Sequence, residues 1–305
     1  MSRTTSVAAL LERRLAAFRQ HLPAALKGDV TGVHQARVAS RRLREVLPVV
    51  AALAPGRAVA KARRDVRHVT RLLGPVRELD VALGHLAEHV GAHHDLAVQG
   101  VVVRKWLEAR RAALRAQMLD ALDATMLARL SDHVEALPGL VGASEGTDTV
   151  WRTTLARRVR RRADGVAGEV ERAGVLYDAH ALHLVRIATK KLRYAVELAG
   201  ELRLGPTAAA LRTLKRQQEL LGDIHDLEVL MGFADHAIAE IPARVRVARL
   251  VGDWQRECRE LHARYLRSRA TVLRVAEHAG SDLAQRVAGP RVRTARRRGE
   301  GRHGR

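Results

Sequence analysis

A chain of 305 residues with 47% hydrophobic side chains can bury one large core or two of ordinary size. Its 54 Lys+Arg against 33 Asp+Glu leave a net charge of +21, a self-repulsion that a polyanionic partner would relieve. No apolar run is long enough to cross a bilayer, and Glu12, Arg13 and Arg14 interrupt the stretch where a secretory leader needs its apolar core. The single cysteine, Cys258, excludes an internal disulfide and a thiolate zinc cluster, so the expected location is the cytoplasm, with no membrane contact.

From Val7 to Ala288 apolar residues recur at three- and four-residue spacing, Ala, Leu, Arg and Glu dominate, and strand signals are almost absent. The chain reads as all-α. Eight prolines and the breaks near Lys27-Gly28, Ala54-Pro55-Gly56, Gly91, Pro138 to Asp148, Gly200 to Pro206 and Ile241-Pro242 divide it into about eight to ten helices.

The first informative block is VHQARVASRRLREVL, residues 33–47. On a helix, Arg37, Arg41 and Arg44 fall within about 80° of His34, while Ala36, Ala39, Leu43, Val46, Leu47 and Val50 occupy the opposite face. Arg42 flanks the stripe. The cations therefore point away from the core. A second block, VRHVTRLLGPVRELDVAL, covers residues 66–83. With the residues just before it, it supplies Arg63, Arg64, Arg67, Arg71 and Arg77.

His85, His89 and His93 follow at four-residue spacing, with His94 beside them; a helical face could chelate a metal this way, but Gly91 interrupts the series and a surface helix end is the better reading. Residues 139–149 are the weakest segment and mark the middle of the chain. The Arg157–Arg162 run has no counterpart elsewhere and reads as a solvated face.

Across that midpoint both blocks return in order. LHLVRIATKKLRYAV, residues 182–196, repeats the first without gaps: His183, Arg186 and Arg193 match His34, Arg37 and Arg44, while Lys190 and Lys191 replace Arg41 and Arg42. LKRQQELLGDIHDLEVLM, residues 214–231, repeats the second and brings Lys215, Arg216 and His225. An internal duplication follows. It predicts two pseudo-symmetric antiparallel helical bundles, residues 1–145 and 146–288, enclosing a basic groove or pore. Residues 289–305, with seven Arg after Pro290, read as a disordered basic tail.

Guanidinium groups one helical turn apart, about 5 Å, suit a ligand whose negative charge repeats along its length. The plain alternative is a solvated outer face. Against it, residues 33–77 contain eleven Lys/Arg and only Glu45 and Asp65 as acids. His34 and His183 either donate to phosphate or cap or pack against their own helix starts.

The paired motif His-x-x-Arg-x-x-x-(Arg/Lys)-(Arg/Lys)-x-Arg, at His34 to Arg44 and His183 to Arg193, resembles the CHAD family, the conserved-histidine α-helical domain. The LLG-x-x-x-(Asp/Glu)-Leu-(Asp/Glu) pattern, at Leu72 to Asp80 through Glu78 and at Leu220 to Glu228 through Asp226, is similar to that family's second signature. The resemblance implies two pseudo-symmetric bundles around a basic pore, binding of inorganic polyphosphate and association with polyphosphate granules. Members are often fused to a triphosphate-hydrolysing barrel, whose strands and Glu-x-Glu-x-Lys motif are missing here.

Asp65, Glu78, Asp80, Asp223, Asp226 and Glu228 could serve as acids or Mg²⁺ ligands, but pairing with the arginines is the simpler role. No P-loop, GxSxG or His-Glu-x-x-His string is present, so neither catalysis nor a cofactor is expected. A nucleic-acid binder is the chief rival, since any basic protein holds a phosphate backbone at low salt and the tail would add to that. Only 3% of residues are aromatic, which supplies no platform for stacking bases.

Overall fold

A computed structural model describes residues 6–92, 97–142, 148–205, 207–240 and 248–288. Among these residues no strand occurs, and ten helices follow one another: α1 (Val7–Leu26), α2 (Val30–Leu53), α3 (Arg57–Ala92), α4 (Ala97–Ala121), α5 (Ala124–Glu135), α6 (Leu137–Gly142), α7 (Asp148–Ala173), α8 (Ala179–Glu201), α9 (Ala208–Glu240) and α10 (Ala248–Ala288). The all-α expectation holds. His93, His94 and the tail from 289 onward lie outside the described residues.

Short polar side chains start the helices that carry the repeated blocks. Asp29 accepts the amide of Gly32 at the head of α2, and Asp178 accepts that of Ala181 at the head of α8, each meeting a donor the first turn leaves free. The two caps are as far apart in sequence as the two histidines. Capping therefore belongs to the aspartates, which removes that role from His34 and His183. Gly28, at φ +83°, makes the turn before α2. Its carbonyl and that of Lys27 accept from Arg111 and Arg115, so α4 is tied to the α1–α2 turn.

Pro23, Pro48 and Pro75, expected as breaks, sit inside α1, α2 and α3. Each removes one intrahelical hydrogen bond, a loss the packing of these long helices outweighs. The breaks near Lys27-Gly28 and Ala54-Pro55-Gly56 fall as expected, Pro138 occupies the first turn of α6 where it loses no bond, and Ile241-Pro242 lies outside the described residues; the breaks after Ala121 and Ala173 were not expected.

Ala36, Ala39, Leu43, Val46, Leu47 and Val50 are all buried, as the stripe analysis of α2 requires. Consecutive helices pack side by side: α1 on α2, α2 on α3 and α3 on α4; then α7 on α8, α8 on α9 and α9 on α10. α10 also packs along α7 and closes the second group into a four-helix bundle. The first group closes differently. There α5 and α6 bridge α3 and α1, and α4 leans against α9 of the other half. Between the halves α2 meets α7 and α8, and α3 meets α9, so both helices carrying one copy of the blocks touch those carrying the other.

Candidate anion-binding cleft

Arg37 and Arg41 project from one face of α2 and Arg186 and Lys190 from the matching face of α8, and all four are half-buried. They lie close enough to act on one another. The charges of Arg41 and Arg186 lower the pKa of Arg37, and those of Arg41, Arg186 and Arg37 lower that of Lys190. Burial is the larger cause in both: it brings Arg37 down to about 10 and Lys190 to about 6. A lysine so depressed is mostly neutral at neutral pH, because burial first and then four neighbouring cations disfavour its charge.

α3 and α9 form the floor. A Cβ on Gly74 would stand 2.7 Å from the Arg37 guanidinium, so the helical glycine is what lets that group lie across α3. Gly222 of α9 faces Arg186 in the same way but with more room, 3.9 Å to Nε. One turn further on stand the acids of the same motif: Glu78 near Arg37, and Asp226, whose Oδ1 is 3.7 Å from Arg186. Asp226 also faces His85 of α3 at 3.6 Å, which holds that imidazole's pKa above its usual range. Arg186 Nε is buried without a hydrogen-bond partner among the described residues.

Each histidine lies beside cations of its own half. His34 lies near Arg77, Arg41 and Arg37, and burial together with those cations lowers its pKa. His183 approaches His225, Nδ1 to Nδ1 at 2.9 Å, and burial with Arg186 lowers both, His225 to about 4. Arg77 and His225 occupy equivalent positions of α3 and α9. The candidate site thus gathers His34, Arg37, Arg41, Arg77, His183, Arg186, Lys190 and His225 around Glu78, Asp226 and Asp223, the last acting on Arg186.

The remaining expected residues are arranged otherwise. Arg44 is exposed beside Arg41 and Arg67 at the edge of the cleft. Arg193 is tied to Gln218 at 2.7 Å and Glu197 at 3.3 Å, with its guanidinium 4.3 Å from the ring of Tyr194. Arg42 reaches Glu197 at 2.8 Å, and Arg14 of α1 joins the same carboxylate at 3.8 Å. These groups hold the halves together. Lys191 is exposed, and its carbonyl accepts from Arg162. Lys215 and Arg216 are exposed and contact Glu219 and Thr213 of their own helix. Arg64 and Arg71 line a separate basin, together with Arg67.

Several sequence expectations are corrected. Asp65 and Asp80 do not serve the stripe: Asp65 pairs with His133 of α5, Asp80 with Arg111 of α4. Glu228 accepts from the Tyr177 hydroxyl. The Arg157–Arg162 run is not simply solvated, because Arg158 and Arg162 each reach buried Glu45 of α2 at 2.6 Å. His89 packs edge-on against Trp254, and no cluster of three metal-binding side chains occurs among the described residues.

Fold and site together define an all-helical protein with a cluster of cations where α2 and α3 meet α8 and α9. The CHAD domain family model matches residues 9–235, and the chain belongs to that family. The chain is 28% identical over 209 residues to uncharacterized proteins of two Mycobacterium tuberculosis strains, a match covering 64% of this chain but only 38% of theirs. Among solved structures, the CHAD domain from the plant Ricinus communis superposes with a TM-score of 0.60 at 24% identity, over 88% of this chain and 90% of that one. PptA from Streptomyces chartreusis gives 0.54 at 17% identity, over 91% and 97%. These likenesses bear on the fold. No helix among the described residues is long and apolar enough to cross a membrane.

Proposed function

We propose that this protein binds inorganic polyphosphate in the cleft between its halves and does so without catalysing a reaction. The observation that carries the reading is the meeting of Arg37 and Arg41 with Arg186 and Lys190, close enough for each half to depress the basicity of the other. Three carboxylates, Glu78, Asp223 and Asp226, face eight nitrogen bases there. A linear polyanion supplies the missing charge along the whole row, whereas a single phosphate would answer only one turn of it. The same reading assigns the cytoplasm, and polyphosphate granules within it, as the cellular address.

The test is competitive. Binding of long polyphosphate is measured at about physiological salt, where counterion release weakens non-specific contacts, with and without excess duplex or single-stranded DNA. The expected result is that DNA leaves the polyphosphate in place, and that Arg37→Glu with Arg186→Glu weakens binding more than about tenfold with helicity intact. Ready displacement by DNA would favour a nucleic-acid partner, and unchanged affinity in the double variant would remove the cleft as the site.

A further inference from the structure

Beside the cleft, on the other flank of α3, lies a basin of about 700 Å³. Lys61, Arg64, Arg67 and Arg71 of α3 line it, and α5 adds Arg129 and His133. One acid is present, Asp65, and it is already engaged by His133 at 2.6 Å and Arg129 at 3.9 Å. Arg71 is exposed and touches His68 of its own helix, at 3.0 Å. The basin therefore has the same deficit of negative charge as the cleft.

The two are joined. Arg67 lines the basin and also stands beside Arg44, which in turn neighbours Arg41 of the cleft. Around α3, Arg67 falls within about 20° of Gly74, while Arg71 and Arg64 are turned by about 60–80° and Lys61 by about 140°. Cations thus wind around α3 from the cleft to the basin. Between Arg77 and Lys61 the helix rises about 24 Å.

The other half keeps only part of this row: Arg212 and Lys215 stand opposite Arg64 and Arg67, but the rest differs. Where Lys61, Asp65 and Arg71 stand in α3, the equivalent places of α9 hold Ala209, Thr213 and Glu219. Ala209 and Thr213 border instead a cavity of about 420 Å³ whose wall is mainly apolar, with Val159, Val196 and Leu283.

We infer that the basin is a second anion subsite, into which a polyphosphate chain lying in the cleft continues over Arg44 and Arg67, so that the track extends from one side only. This rests on the cleft reading. A chain long enough to occupy both parts gains contacts with α5 that a short one lacks.

Two ligands separate the parts: tripolyphosphate, which the cleft alone accommodates, and polyphosphate of several tens of units. Arg71→Glu with Arg129→Glu, both at exposed positions, should raise the Kd of the long chain at least about tenfold and that of tripolyphosphate less than about twofold. Equal effects on both ligands, or none on either, would overturn the inference. Arg37→Glu with Arg186→Glu should weaken both. If that pair weakens neither while the basin pair weakens the long chain, the basin is a site on its own, and both its role as an extension and the cleft reading fall. Circular dichroism confirms that each variant is folded.

Discussion

Lys190 is the residue on which the chemistry of the cleft acts most strongly. Between about pH 10.5 and 6 the unfolded chain holds a proton at this position that the folded chain lacks, so stability declines as pH falls through that window. A bound polyanion restores the ammonium and with it a proton. Calorimetry at about pH 8, in buffers of different ionisation enthalpy, should therefore record proton uptake on polyphosphate binding that Lys190→Met reduces. Undiminished uptake in that variant would show that the lysine stays uncharged in the complex. Gly74 offers a test of a different kind. Alanine in its place gains up to about 1 kcal/mol of helix propensity but drives its Cβ into the Arg37 guanidinium. Gly74→Ala should melt no lower than the native chain and yet bind polyphosphate more weakly; a variant that loses neither property would mean that the position of Arg37 is unimportant. Gly222→Ala, with 3.9 Å of room, should cost far less affinity.

At the level of helices, the cluster of cations exists because α2 faces three ways. Its apolar face enters the first bundle, its Arg37 and Arg41 face α8, and between them Glu45 receives Arg158 and Arg162 of α7. Glu45 is only 8% exposed, so truncating it leaves two partly buried guanidiniums without their carboxylate. Glu45→Ala should lower unfolding stability by about 2–3 kcal/mol, read from urea denaturation, since breaking a buried pair costs more than the pair contributes. A loss below about 0.5 kcal/mol would instead class the bridge with exposed ion pairs. The face of α2 was legible in the sequence because it depends on local periodicity alone. The pairing of Glu45 was not, because its partners lie more than a hundred residues away in a run that resembles any solvated helix face.

Over the molecule as a whole, apolar periodicity disclosed the helical class, and the two copies of His-x-x-Arg and LLG disclosed the cations that the fold brings together. Those patterns are statements about the face of one helix, and helix geometry follows from spacing. The relation between faces has another origin. That Glu197 ties Arg14, Arg42 and Arg193 together, and that α5 turns the outer flank of α3 into a basin, follow from how distant segments pack. The duplication also concealed a difference: α10 closes the second bundle, whereas α5 and α6 complete the first. Spacing along the chain thus established the helices, their buried sides and the two rows of cations. Contact between segments far apart in sequence assigned each cation to the cleft, to the basin or to an ion pair, since burial and neighbouring charge are properties of the packed chain and of no single stretch of it.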